Sequence, residues 1–180
     1  MSLKDTFNTT LAEELKKNLW ISNVMAIPKL KKITLNVWAW SYLKQSGRSI
    51  DDIVENLTKI TSQKPVITKS KKSISNFNKL REWENNGVLV TLRGDIMYNF
   101  LEKLIALSLP RSRDFQWVSK RAFDQDGNYS LWIPDISIFP EIRFEDITKI
   151  HGCQINFSTT AKEQSGGFEL LKILWLPFKK

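Results

Sequence analysis

The chain has 180 residues and a mass of 20.9 kDa, with 42% hydrophobic and 26% charged residues; this is enough for one domain with a buried core and excludes a wholly disordered chain. A formal net charge of +8 and a pI near 9.6 direct it toward polyanions: nucleic acid, an anionic membrane surface or an acidic protein. One cysteine, Cys153, excludes an intramolecular disulfide, and one histidine, His151, excludes His-rich or Cys/His-spaced metal motifs.

In chain order, "DTFNTTLAEELKKNLW" predicts a first helix, with Phe7, Leu11 and Leu15 on one face and acids preceding lysines as the helix dipole favours. Its start lacks an apolar signal core, and its acids argue against a cleavable transit peptide. After Pro28, "KKITLNVWAW" alternates Ile33, Leu35 and Val37 with Thr34, Asn36 and Trp38, the period of a half-buried strand. Ser49, Asp51 and Asp52 open a second helix whose buried stripe is Ile53, Val54, Leu57 and Ile60.

"PVITK" is a short strand, and the residues from Ser70 onward have so little apolar periodicity that they read as a mobile basic loop over about 70–87. "GVLVTLRG" resumes the alternation. A third helix runs from Asp95 through Ile96, Met97, Phe100, Leu101, Leu104 and Ile105 and ends before Pro110. "RSRDFQW" and "FDQDGN" are loops, Tyr129 to Ile133 and Gln154 to Thr160 are strands, and Gly166-Gly167 precedes a last helix.

This order predicts a single α+β domain over residues 1–180, a largely antiparallel sheet with helices packed on one face. Thr34 and Asn36, Thr91 and Arg93, and Gln154, Asn156 and Ser158 then project away from the apolar side chains of their own strands. A polar, uncharged-to-basic sheet face of this kind hydrogen-bonds riboses, phosphates and base edges. The longest apolar stretches are interrupted every few residues, so no segment reaches the ~20 apolar residues of a membrane span. A continuous basic amphipathic helix, the alternative membrane device, is also missing from the pattern.

Catalytic chemistry finds no support. His151 lacks a partnered nucleophile or carboxylate, Cys153 falls on the apolar side of its strand, and no Walker loop, GxGxxG or GxSxG occurs. The pairs Glu13-Glu14 and Asp51-Asp52 are explained by helix first turns, and "EQSGG" by a turn before a helix. The seven tryptophans are the compositional oddity. Trp38, Trp83, Trp117 and Trp132 could stack on bases, but core or interface packing is the reading taken for most of the seven.

The segments "KKITLNV", "SQKPVITKSKKSISNF", "VTLRGDIMYNFLEKLI", "LPRSRDFQW", "FDQDGNYSLWI", "IFPEIRFEDI", "INFSTTAK" and "LPFKK", in this order, resemble the bacterial-type large-subunit ribosomal protein number five, from about Val24 to Lys180. The resemblance implies a non-catalytic constituent of the central protuberance that binds 5S-type rRNA. It implies rRNA contacts from Asn36, Gln63 and Thr91, with Arg93 as a phosphate or guanine partner and Thr34, Lys64 and Thr68 beside them. It further implies that the 70–87 loop reaches the elbow of the P-site tRNA through Lys69, Lys71, Lys72, Ser73, Asn76, Lys79 and Arg81, and that Arg111 and Arg113 face the small-subunit head.

The implied partners are 5S-type rRNA, large-subunit rRNA, P-site tRNA, neighbouring large-subunit proteins and a small-subunit head protein, around a monomer with no cofactor, metal or membrane. The chain departs from the family's pattern in three places. "VWAWSY" replaces a glycine-rich stretch, "NKLREWENNG" lacks the family's Gly and Pro, and Trp132 takes a position usually held by glycine. Those departures, with Lys outnumbering Arg and abundant Asn and Ile, predict an organelle-encoded protein, mitochondrial with plastid or bacterial origin as alternatives. A second reading is a protein-interaction subunit of the ribosomal interface whose rRNA binding has decayed; an RNA-modifying enzyme is a third.

Overall fold

The computed structural model describes residues 3–39, 50–74, 80–112, 118–142 and 151–179. Five strands form one antiparallel sheet: β1 (Leu30–Trp38), β2 (Val66–Lys69), β3 (Asn85–Leu92), β4 (Tyr129–Ile133) and β5 (Cys153–Thr159), in the order β2-β3-β1-β5-β4. Together with the helices this is the α+β class that the sequence predicts. By internal contacts the chain forms two compact units, Met1–Thr34, Leu92–Leu131 and Ile155–Lys180 in one, and Leu35–Thr91 and Trp132–Gln154 in the other.

The first unit carries most of the helices. Helix α1 (Leu3–Thr6) continues through a π-helical segment, Phe7–Leu11, into α2 (Ala12–Asn18), and Phe7, Leu11 and Leu15 are buried as the periodicity predicts. Helix α4 (Gly94–Lys103) packs on α1, and α5 (Gln164–Ile173) packs on α2. The glycine pair Gly166-Gly167 therefore lies inside the first turn of α5 rather than before it. A Cβ on Gly167 would sit 2.1 Å from the Gly127 carbonyl oxygen, so the helix approaches that loop at a distance only glycine allows.

Phe123, Tyr129, Phe157, Phe168 and Phe178 make a ring cluster in this unit, with neighbouring centroids 4.6–6.2 Å apart. The Tyr129 hydroxyl donates to the Ser119 carbonyl at 2.8 Å. Removal of the phenol from water pushes its pKa up to about 12. The chain end belongs to the same core: Val118 N–H donates to the Pro177 carbonyl at 2.9 Å and Lys179 N–H to that of Val118 at 3.1 Å.

The second unit holds α3 (Asp51–Thr61), with Ile53, Leu57 and Ile60 buried on one stripe. Strands β2 and β3 pair antiparallel, Val66 opposite Leu89 and Thr68 opposite Gly87. The loop expected over 70–87 is partly strand. β3 begins at Asn85, and Ser70 continues the ladder by donating its N–H to the Glu84 carbonyl and accepting from Trp83 N–H, both at 2.9 Å. Ile74 then pairs with Leu80. Residues 75–79 lie outside the described ones. The pairing escapes a periodicity search because backbone hydrogen bonds and turn chemistry make it, not alternating apolar side chains.

Candidate nucleic-acid interface

Alternation along each strand creates the candidate surface. In β1 the side chains of Ile33, Leu35 and Val37 are fully buried, whereas Thr34 and Asn36 between them are half-buried and Trp38 is exposed. β5 repeats this: Cys153, Ile155 and Phe157 are fully buried, Gln154, Asn156 and Ser158 half-buried. In β3, Val88, Val90 and Leu92 face the core and Leu89 and Thr91 do not. Residues opposite one another across a ladder share a face, so Val66 and Thr68 of β2 stand on the same side as Leu89 and Gly87.

Within the second unit the structure joins two of the sequence-predicted residues directly. Gln63 Nε2 donates to the Thr91 carbonyl at 3.2 Å. Gln63 reaches that position because α3 ends in a left-handed residue, Ser62 (φ 55), after Thr61. The Thr61 hydroxyl donates to the Leu57 carbonyl at 2.7 Å and accepts from Gln63 N–H at 3.4 Å. Lys64 is exposed immediately before buried Pro65, and Asn36 and Thr68 are half-buried. Asn36, Gln63, Lys64, Thr68 and Thr91 thus all belong to one unit.

Thr34 and Arg93 belong to the other, Thr34 half-buried and Arg93 exposed just before α4. In that unit the Asn156 Oδ1 is buried without a hydrogen-bond partner among the described residues. A buried acceptor of this kind costs about 1–3 kcal/mol until a donor reaches it. Half-buried Lys32, one alternation before Thr34, was missed at the sequence level although the same period marks it.

The cationic stretch after β2 is anchored at one residue. Ser70 is buried, and its hydroxyl donates to the Lys72 carbonyl at 2.8 Å, which turns the chain so that Lys69, Lys71 and Lys72 stay exposed. The Ser73 hydroxyl accepts from Glu82 N–H at 3.0 Å, and Arg81 N–H donates to Glu84 Oε2 at 2.9 Å. Ser70 and Glu84 are further residues that sequence reading missed; only pairing partners identify them. Asn76, Lys79 and Arg113 lie outside the described residues. Arg111 is exposed at the end of a short 3-10 turn, Leu109–Arg111.

Among the described residues, the two that sequence reading weighed for catalysis are both buried. Cys153 is buried, and loss of water pushes its thiol up to about 12, so it is held as a neutral core group. The buried His151 accepts Ile136 N–H on its backbone carbonyl at 3.1 Å. Among the described residues no group of three His, Cys, Asp or Glu could hold a metal ion, and no helix is long and apolar enough to cross a membrane.

Of the core or interface packing expected for most tryptophans, the core half does not hold for the described ones. The five described ones are all exposed, from 45% for Trp38 to 94% for Trp20. The sequence could not distinguish the two cases because a tryptophan's size predicts burial whichever backbone position carries it.

Two family models match the chain. The model for ribosomal protein L5 covers residues 23–81, and the model for the C-terminus of the same ribosomal family covers residues 85–178. Proteins of this family are structural constituents of the large ribosomal subunit rather than enzymes. With both models matching in order across most of its length, the chain belongs to the ribosomal protein L5 family and is a ribosomal protein.

Proposed function

We propose that this protein anchors a 5S-type rRNA in the central protuberance of the large subunit through the outward-facing polar residues of its strands. The observation that carries the reading is the Gln63 to Thr91 hydrogen bond, which holds the Gln63 side chain against β3 in the unit that also carries Asn36, where alternation turns Asn36 and Thr91 away from the buried side chains of their strands. Asn36, Gln63, Thr68 and Thr91 offer uncharged donors and acceptors to riboses and bases, while Lys64 and Arg93 supply phosphate contacts. Thr34 extends the set along β1.

The exposed cations Lys69, Lys71, Lys72 and Arg81 face P-site tRNA in this account. Charge contacts to phosphates carry no sequence information, which suits a surface that must accept every tRNA. Arg111 is proposed to contact the small-subunit head. The test is RNA crosslinking in ribosomes that contain the protein. Crosslinks from β1 and β3 to a separate small rRNA, with Lys71 or Lys72 reaching tRNA, are expected. Crosslinks to proteins alone would replace this reading with the protein-interaction one.

A further inference from the structure

The described tryptophans share two anomalies. All five are exposed: Trp20 94%, Trp38 45%, Trp83 73%, Trp132 61% and Trp175 59%. Tryptophan is ordinarily among the most buried side chains on average. Three of them, Trp20 (φ 54), Trp83 (φ 65) and Trp175 (φ 65), also have a left-handed backbone. Only a few per cent of non-glycine residues do, and for bulky ones it is an outlier, so three among five arises by chance roughly once in a few thousand chains.

Each of the three sits where a hydrogen-bond motif demands that conformation. At the end of α2, Ile21 N–H donates to the Lys16 carbonyl at 3.2 Å and Trp20 N–H to that of Lys17 at 3.3 Å. At the end of α5, Leu176 N–H donates to Leu171 and Trp175 N–H to Lys172, both at 3.0 Å. Both are Schellman closures, and the tryptophan holds the position that glycine usually fills. Trp83 is the third residue of a turn closed by Glu84 N–H donating to the Arg81 carbonyl at 3.3 Å, a place where a positive φ calls for glycine; its N–H and the carbonyl of its neighbour Glu84 both bond to Ser70, so two residues oppose one. That is a G1 bulge, whose first residue is a left-handed glycine by type.

We infer that these are glycine positions, and that the codon read here as tryptophan is decoded as glycine in the organism that makes this protein. A UGA triplet served by a glycine tRNA instead of a tryptophan tRNA alters every such position together, which explains why three unrelated turns carry one anomaly. Composition fits: the chain has 7 Trp and only 7 Gly. Conversion of all the tryptophans gives fourteen glycines in 180 residues, close to the usual ~7%.

The same change alters the candidate interface. Trp38 follows Asn36 on the outward side of β1, and Trp132 lies over Gly152, its ring 2.6 Å from where a Cβ there would be. Glycine at both positions removes two indoles and opens the backbone to close approach by a sugar or phosphate; this consequence alone rests on the rRNA reading. It also removes the departures at 38, 40 and 132 from the family's glycines, one of the two grounds for expecting an organellar origin.

Peptide mass spectrometry of the protein isolated from its source ribosomes decides the matter without reference to RNA binding. Glycine is expected at positions 20, 83 and 175, and equally at 38, 40, 117 and 132. Tryptophan at 20, 83 or 175 would overturn the inference and leave strained, exposed rings in need of a stacking partner. In recombinant chains, Trp20→Gly, Trp83→Gly and Trp175→Gly are each expected to raise Tm by about 2–8 °C. A Tm that stays level or falls in all three would show that the backbone there is not built for glycine.

Discussion

The ring cluster around Tyr129 and the outward side of β1 and β3 obey opposite rules. In the cluster, five aromatic side chains interlock and the one polar group, the Tyr129 hydroxyl, is satisfied by Ser119 at 2.8 Å. On the outward side, Asn36 and Thr91 are polar and half-buried, and half-buried Gln63 donates Nε2 to the Thr91 backbone carbonyl rather than to another side chain. The first region holds the chain together and offers a partner nothing. Under the proposed function the second contributes little to stability and leaves its side chains for a partner. A single strand can serve both, since successive side chains point to opposite faces.

The sharpest way to break this contrast is in the cluster. Tyr129→Ala is expected to cost about 3–5 kcal/mol, seen as a large loss in urea midpoint, and any surviving folded protein should retain rRNA affinity. Next comes the outward side: Asn36→Ala, Gln63→Ala and Thr91→Ala together should weaken 5S-type rRNA binding about 10- to 1,000-fold. Their cost to stability should stay near ~1 kcal/mol, the net worth of the Gln63 hydrogen bond.

A third effect separates the regions by pH. Burial raises the folded-state pKa of Tyr129 from 10.0 to about 12 and of Cys153 from 9.0 to about 12. Below pH 9 both groups are neutral in the folded and unfolded chain, and their contribution is complete. Above it the unfolded chain ionises first, so stability falls from pH 9 to about 12. Unfolding by urea across that range should show the decline, and Tyr129→Phe should remove its upper part. The smallest effect belongs to the exposed lysines. Lys71→Ala with Lys72→Ala should leave Tm unchanged and lower the salt slope of tRNA binding by about 0.7–0.9 per lysine that meets a phosphate.

Much of this division was legible in the sequence. Ile33, Leu35 and Val37 against Thr34 and Asn36 give the strand and both its faces, because a period of two is written directly into the residue order. The start of the third helix was legible within one residue, Gly94 in place of Asp95, but its end was not: the α-helix stops at Lys103 and continues as a π-helical segment, Leu104–Ser108, and a 3-10 turn that includes Pro110. The ladder from Ser70 to Glu84 was not, since its bonds are made by backbone groups whose partners lie far along the chain. Gly166 and Gly167 misled for a related reason: glycine marks a turn locally, and here the close approach to Gly127 puts it inside a helix. The tryptophans, read as core or interface packing, misled in the first of these, because their side chains predict burial while the backbone beneath Trp20, Trp83 and Trp175 is that of a turn.

The central claim is that the outward polar residues bind RNA and do not hold the fold. Its most direct test is a titration of 5S-type rRNA with the parent chain and with the Asn36, Gln63 and Thr91 triple alanine variant, at two salt concentrations, with Tm recorded for both proteins. The account predicts a variant that folds with nearly the parent's Tm, binds at least about tenfold more weakly, and loses affinity with salt as the parent does. A folded variant with undiminished affinity would contradict it.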